Sequence, residues 1–344
     1  MNAAWQSFLE GQGATVDGGV VWHYGDAASE LAAASRSAVI SDLSPLGVIS
    51  IHGDDALSFL QGQLSCDVSA VAINASTYGS YCTAKGRVLA TFLLWRGDSG
   101  FFMALPRDVL ATIQKRLTMF VLRAKVKLAD VSSELVLLGL SFAEGGGALA
   151  GHFDAVPAEI HRGVREQNGL LLRVSETRLL WIGDATAATR IWAGLAGTSK
   201  PVGAAAWSWL DIRAGLAWIT QATQEQFVPQ MINLELIGGV SFQKGCYPGQ
   251  EIVARTQYLG KLKRRMYLAS MAATDAAPVP GTELYSDDLG EQASGMVVNA
   301  QTSPNGGFDL LAVTQTSSVE TSVVHLGSPQ GPVLTFQVLP YSLA

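Results

Sequence analysis

The chain has 344 residues, 48% of them hydrophobic, and a formal net charge of −6. The length predicts two or three domains, and the acidic balance argues against direct nucleic-acid binding by bulk electrostatics. Every apolar run is shorter than the roughly 18 residues of a membrane span, and "MNAAWQSFLEGQG" lacks the basic start and apolar core of a signal peptide. We therefore expect a cytoplasmic protein without membrane contact.

The first part of the chain predicts helices and strands in mixed order. Residues 26–36 predict an alanine-rich helix capped by Asp26, and residues 47–53 predict a strand. A further helix is predicted at residues 107–123, where apolar residues recur at helical spacing. The positions of this apolar face are Val109, Ile113, Leu117 and Phe120.

The glycine segment at residues 145–150, "GGGALA", is a predicted domain boundary. It fits the pattern G-x-G-x-x-A, but a dinucleotide site needs a helix directly after the glycines, and Pro157 interrupts one here. We expect a loop between a first α+β lobe at residues 1–145 and a second at residues 146–261. From residue 262 to 344 short β-type runs broken by glycine and proline predict a small β-barrel, and the basic run from Lys261 to Arg265 is interpreted as a solvated strand edge.

The three cysteines are widely spaced and predict no disulfide framework. Cys66 and Cys82 lie in apolar surroundings and are interpreted as packing residues. The five histidines are scattered, so no metal site is predicted.

Cys246 lies in the stretch "FQKGCYPGQEIVAR", residues 242–255. Pro248 and the glycine after it predict a turn, and a short helix is predicted from Gln250 to Tyr258, with Gly260 at its end. A helix N-terminus and the nearby ammonium of Lys244 both favour a thiolate. No histidine adjacent in sequence can act as a base, so a reactive thiol and a free cysteine packed under a turn both stay open.

Aromatic and basic residues near this stretch suggest a binding site for a flat heterocycle with an anionic tail. Trp207 has a ring that can stack on such a ligand, and Arg213 and Arg255 can meet the tail. A tryptophan is more often a core residue than a ligand platform, so this interpretation also stays open.

These residues carry a resemblance to a known family. "KGCYPGQE", preceded by "FVPQMINLELIGGVSF", resembles the signature of the YgfZ family of folate-binding proteins, which are related to the T-protein aminomethyltransferase of the glycine cleavage system. "YCTAKGRV" and "AWSWLDIRAGLAWI" resemble further family elements. The resemblance implies an α+β, two-lobed fold of the aminomethyltransferase folate-binding type followed by a small C-terminal β-barrel.

The resemblance also implies a function. The chain is expected to be an accessory factor in iron–sulfur cluster assembly or repair that indirectly supports tRNA-modifying iron–sulfur enzymes, with tetrahydrofolate or a related folate as cofactor. Its partners are then iron–sulfur enzymes or cluster carriers, bound transiently. The implied reactive thiol is Cys246, assisted by Lys244, and the implied folate contacts are Trp207, Arg213, Tyr247, Gln250, Glu251 and Arg255.

Three positions depart from the T-protein pattern. Leu89 and Ala90 stand where the T-protein has an acidic pair, so a working aminomethyltransferase is not expected. Arg213 replaces a glutamate that contacts the pterin, and an arginine cannot accept hydrogen bonds. Leu46 replaces a family tryptophan. The alternatives are a folate-dependent one-carbon transferase and a non-catalytic folate sensor in which Cys246 is structural.

Overall fold

The computed structural model describes residues 1–142, 152–166, 169–258, 260 and 262–343. Helices and strands alternate over most of this range, and strands dominate its C-terminal part. The helices are α1 (Ala3–Gly11), α2 (Ala27–Ala34), α3 (Ala56–Gln61), α4 (Arg107–Met119), α5 (Ala185–Leu195), α6 (Ala204–Arg213), α7 (Gln250–Tyr258) and α8 (Thr316–Thr321). None of these described helices combines the length and the apolar character that a membrane crossing requires.

The strands are short to medium in length. In chain order they are β1 (Thr15–Asp17), β2 (Val20–His23), β3 (Val39–Asp42), β4 (Leu46–His52), β5 (Ser76–Cys82), β6 (Val88–Gly97), β7 (Gly100–Pro106), β8 (Lys127–Asp130), β9 (Val136–Ser141), β10 (Gly163–Glu166), β11 (Gly169–Ser175), β12 (Arg178–Gly183), β13 (Lys200–Val202), β14 (Arg264–Met271), β15 (Glu283–Ser286), β16 (Ala293–Thr302), β17 (Phe308–Gln315), β18 (Val324–Leu326) and β19 (Thr335–Gln337).

These strands form four sheets. β1 and β2 form a hairpin; the other sheets have the orders β10-β11-β12-β9-β3-β13, β5-β6-β7-β4-β8 and β18-β15-β16-β17-β14-β19. β13 pairs with β3 in parallel, whereas the other pairs with a described register are antiparallel. The mixture of helices with largely antiparallel sheets is the predicted α+β class.

The chain divides into two compact units. The first comprises Met1–Leu57, Ser69–Thr77 and Leu93–Ser208, and the second comprises Ser58–Val68, Tyr78–Phe92 and Trp209–Ala344. The division passes through α3, β5, β6 and α6. The predicted boundaries at residues 145 and 261, and the predicted loop at residues 145–150, lie outside the described residues.

Each unit has its own buried core. In the first unit Trp5, Trp181 and Trp192 lie in a cluster that joins α1 and α5 to the strands beneath them. In the second unit the inward residues of β14, β16 and β17 form the core of the C-terminal sheet. One face of this sheet lies against the core and the opposite face does not, so β14 and β16 bury alternate side chains over part of their length.

Local signals explain most of the helix bounds. Asp26 accepts hydrogen bonds from the backbone N–H groups of Ala28 and Ser29, which confirms the predicted cap of α2. α7 has its predicted bounds. The prediction for α4 was wrong at its end: the helix stops at Met119, and Phe120 caps it and is 45% exposed, because the apolar spacing continues past the point where the helical turns stop.

The C-terminal part confirms a small, barrel-like domain. Its six-stranded antiparallel sheet runs from β14 to β19. The β-type pattern did not predict α8, a short helix in which Thr321 Oγ1 donates a hydrogen bond to the Ser317 carbonyl. α8 has only six residues, too few for a sequence pattern to distinguish it from a turn.

Candidate functional site

The K-G-C-Y turn of the second unit is anchored through Lys244. The Lys244 Nζ donates hydrogen bonds to the carbonyl oxygens of Leu64 (2.6 Å) and Cys66 (2.9 Å). It also lies 5.1 Å from the ring centroid of Tyr247. Burial lowers the pKa of Lys244, an effect partly offset by Cys66 and Asp67. The two hydrogen bonds hold the Lys244 ammonium against the backbone of residues 64–66.

Ser65, in the same short segment, also forms hydrogen bonds with Gly239 and Ser241, which precede the K-G-C-Y turn. The Ser241 N–H donates to the Ser65 carbonyl at 2.9 Å, and Ser65 Oγ donates to the Gly239 carbonyl at 2.7 Å. Ser65 is fully buried. Sequence reasoning missed this role of residues 64–66, because the acceptors are mostly backbone carbonyls and no side-chain pattern encodes them.

Gly249 fixes the other end of the turn. It has φ +83°, a conformation that L side chains rarely adopt. A Cβ at Gly249 would lie 2.5 Å from the Thr83 carbonyl oxygen and 2.6 Å from the Cα of Gly86. Gly86, with φ +71°, in turn faces Ile252 of α7. The two segments "TAKGR" and "KGCYPGQE" therefore pack backbone to backbone, and only glycine fits where they meet.

The three thiols lie in contrasting surroundings. Cys246 is exposed, whereas Cys66 and Cys82 are buried, as the interpretation of those two as packing residues requires. Burial raises the pKa of the Cys66 thiol to about 12 and that of the Cys82 thiol to about 12. Cys246 is thus the thiol that a reagent or partner in solution can reach.

The remaining motif residues differ in how exposed they are. Tyr247 is buried, and its Oη has no hydrogen-bond partner among the described residues. Burial raises the pKa of Tyr247 above its ordinary value. Gln250 opens α7, and its Nε2 lies 3.5 Å from the Lys244 carbonyl oxygen, at the limit of a hydrogen bond. Glu251 is exposed.

Arg213 and Arg255 lie in different parts of the second unit. Arg213, the last residue of α6, donates a hydrogen bond to the side-chain oxygen of Gln337. Arg255 projects from α7 into a basic groove. That Arg213 and Arg255 contact folate stays a prediction.

Trp207 belongs to the first unit and is buried there. The guanidinium carbon of Arg178 lies 5.6 Å from the centroid of its ring. Gly139 of β9 faces the same ring so closely that a Cβ there would lie 2.5 Å from it. These contacts make Trp207 part of the packing of the first unit, and its role toward folate stays a prediction.

Leu89 and Ala90 are buried in β6. The Leu89 carbonyl accepts a hydrogen bond of 2.7 Å from Gln224 Nε2. Hydrocarbon side chains at both positions supply neither a proton acceptor nor a charge. Leu89 and Ala90 are therefore core residues that bring no acid–base group to this part of the fold.

Comparisons with known proteins identify relatives of this chain. The family model of the GCVT N-terminal domain matches residues 19–145. The chain is 31% identical over 306 residues to the tRNA-modifying protein YgfZ of Colwellia psychrerythraea, covering 88% of this chain and 93% of that one. It is 33% identical over 308 residues to the protein of the same name from Edwardsiella ictaluri, covering 86% and 89%.

A solved structure shows the same fold. The glycine cleavage system aminomethyltransferase T from Bartonella henselae superposes with a TM-score of 0.77 at 17% identity, covering 99% of this chain and 97% of that one. This likeness confirms the predicted two-lobed aminomethyltransferase architecture with its C-terminal barrel-like domain.

Proposed function

Because this chain belongs to the YgfZ family, we propose that it binds tetrahydrofolate and acts as an accessory factor in iron–sulfur cluster assembly or repair, through a reactive thiol at Cys246. The iron–sulfur enzymes or carriers that it serves include enzymes that modify tRNA, so its effect on tRNA is indirect. The observation that carries the proposal is the exposed Cys246 on a turn that Lys244 and Gly249 hold in place.

A fixed, exposed thiol is suited to coordinate an iron of a cluster transiently. Iron–sulfur clusters are held by cysteine thiolates, usually four of them, and the other two cysteines of this chain are buried. In our proposal Cys246 loses its proton to water and its thiolate replaces one ligand on an iron of the partner's cluster. The displaced ligand later returns, and no electron is transferred.

The chemistry of the donor set in the second unit fits a folate. The buried Oη of Tyr247, which has no partner among the described residues, offers a hydrogen bond to a ligand. Gln250 and Glu251, at the start of α7, offer side-chain oxygens that can accept hydrogen bonds. Bound tetrahydrofolate would contribute a reduced pterin that carries one-carbon units. Aminomethyl transfer is not proposed, because Leu89 and Ala90 replace the acidic pair.

Complementation tests the role of the thiol. In a strain that lacks its own family member, the wild-type chain should restore the activity of iron–sulfur enzymes that modify tRNA. Cys246→Ala should fold normally and fail to restore it. Gln243→Ala, a change at an exposed position of the same turn, is the matched control and should behave as wild type. Full complementation by Cys246→Ala would end the proposal for the cysteine.

Calorimetric titration with tetrahydrofolate tests the cofactor. The wild-type chain should bind it, and Tyr247→Phe, which removes only the unpartnered hydroxyl, should weaken binding. Trp207→Ala and Arg213→Glu test two further contacts that the resemblance implies. No heat of binding to the wild-type chain would contradict the folate part of the proposal and leave the test of Cys246 unaffected.

A further inference from the structure

A basic groove runs along α7 in the second unit. Its volume is about 750 Å³, and three cationic residues line it: Arg255 of α7, Lys263 and Arg264. None of the described residues that line the groove is a carboxylate, although the chain carries a net charge of −6. This local reversal of charge creates a field that attracts anionic groups.

The cations of the groove are available to a ligand. The side chains of Arg255 and Lys263 donate to no acceptor among the described residues, and both are exposed. Arg264 makes one long hydrogen bond of 3.3 Å to the Ala293 carbonyl. A guanidinium has five donors, so Arg264 also retains most of its capacity. Arginine in particular suits carboxylates, which it binds through two parallel hydrogen bonds.

The rest of the groove wall is aliphatic. Val228, Met231, Ile252 and Leu262 contribute apolar surface. No aromatic ring of the described residues lines the groove itself, and Tyr267 lines only the smaller cavity beside it. Bases and pterins are usually held by stacking on aromatic side chains, and this groove offers no such platform. The wall instead suits aliphatic side chains.

A smaller cavity adjoins the groove and adds an acceptor. Its volume is about 410 Å³, and it shares Thr256, Gly260 and Leu262 with the groove. Gln230 lines this cavity, and it is only 1% exposed. Its Nε2 donates to the Val253 carbonyl at 2.6 Å, whereas its Oε1 has no partner among the described residues. A buried acceptor of this kind calls for an N–H donor.

We propose that the groove and the adjoining cavity dock an acidic, aliphatic peptide segment of a partner protein. The carboxylates of the segment meet Arg255, Lys263 and Arg264, its aliphatic side chains contact the apolar wall, and a backbone N–H donates to Gln230 Oε1. Cys246 precedes the start of α7 by only four positions, so a segment docked along α7 brings its protein to the K-G-C-Y turn. Docking does not depend on the reactivity of the thiol.

Fluorescence anisotropy with defined peptides tests this surface. The probe is a short fluorescein-labelled peptide of alternating glutamate and leucine, and its control is the same peptide with lysine in place of glutamate. The wild-type chain should bind the acidic probe, more weakly as salt is raised, and should not bind the lysine peptide. Arg255→Glu/Lys263→Glu should weaken binding by about tenfold or more.

Matched variants separate the groove from net charge and from the thiol. Lys115→Glu/Arg190→Glu changes the net charge equally at exposed positions of α4 and α5 and should bind the probe as wild type does. Cys246→Ala should also bind it normally. Equal binding by the groove variant and the wild-type chain would overturn the proposal. Stronger binding of bare tRNA or of tetrahydrofolate polyglutamate to the groove would overturn it as well, by assigning it another ligand.

Discussion

The contact between Gly249 and the Thr83–Gly86 turn predicts that a single methyl group at Gly249 disrupts the candidate site. At φ +83° an alanine costs about 1–2 kcal/mol relative to glycine. The added Cβ would also lie 2.5 Å from a backbone carbonyl oxygen, which cannot rotate away as a side chain can. Overpacking of this kind costs about 1–3 kcal/mol, so Gly249→Ala should lower the free energy of unfolding by about 2–5 kcal/mol.

Urea unfolding followed by circular dichroism measures this loss, with the midpoint and the slope fitted for each variant. Gly245→Ala is the control in the same turn: no atom lies within 4 Å of a Cβ there, and its φ is not positive. It should change stability by less than about 0.5 kcal/mol. If Gly249→Ala proves as stable as Gly245→Ala, the two segments do not pack backbone to backbone and Gly249 does not hold the turn of Cys246.

Three further predictions concern other buried groups. Trp209→Phe removes the 2.7 Å hydrogen bond from Nε1 to the buried carboxylate of Asp309, and should lower the free energy of unfolding in urea by about 2–4 kcal/mol, whereas Trp22→Phe at an exposed position should not. Burial raises the pKa of the Asp42 carboxyl in the folded state above its unfolded value. The stability that protonated Asp42 contributes is therefore present below the unfolded pKa and is lost as pH rises through the folded pKa. The free energy of unfolding of the wild-type chain should fall over that pH range relative to that of Asp42→Asn, and parallel pH profiles would contradict this. Native protein should react with Ellman's reagent at one thiol, and Cys246→Ser at none, whereas both buried cysteines should react after denaturation; a second reactive thiol in the native state would refute their burial.

The sequence predicts side-chain-encoded features of this fold better than backbone-encoded ones. Asp26 caps α2 because its carboxylate accepts hydrogen bonds from free N–H groups at the helix start. Gly249 marks the turn after Cys246 because only glycine readily adopts its φ of +83°. The apolar spacing extends the predicted helix through Phe120, because such spacing does not show where helical hydrogen bonding stops. The contacts of Lys244 could not be predicted, because its partners are carbonyl groups that every residue carries.

The anchoring of Lys244 also constrains how the chain acquires its site. The two carbonyl acceptors precede Lys244 by 180 and 178 positions in the chain, so this contact has high contact order and forms only after a large loop has closed. During synthesis on the ribosome, residues 64–66 emerge long before the segment that they will hold. A peptide copying residues 242–255 carries the thiol without its anchor. The geometry at Cys246 is therefore a property of the completed fold, and it should be among the last features that a newly made chain acquires.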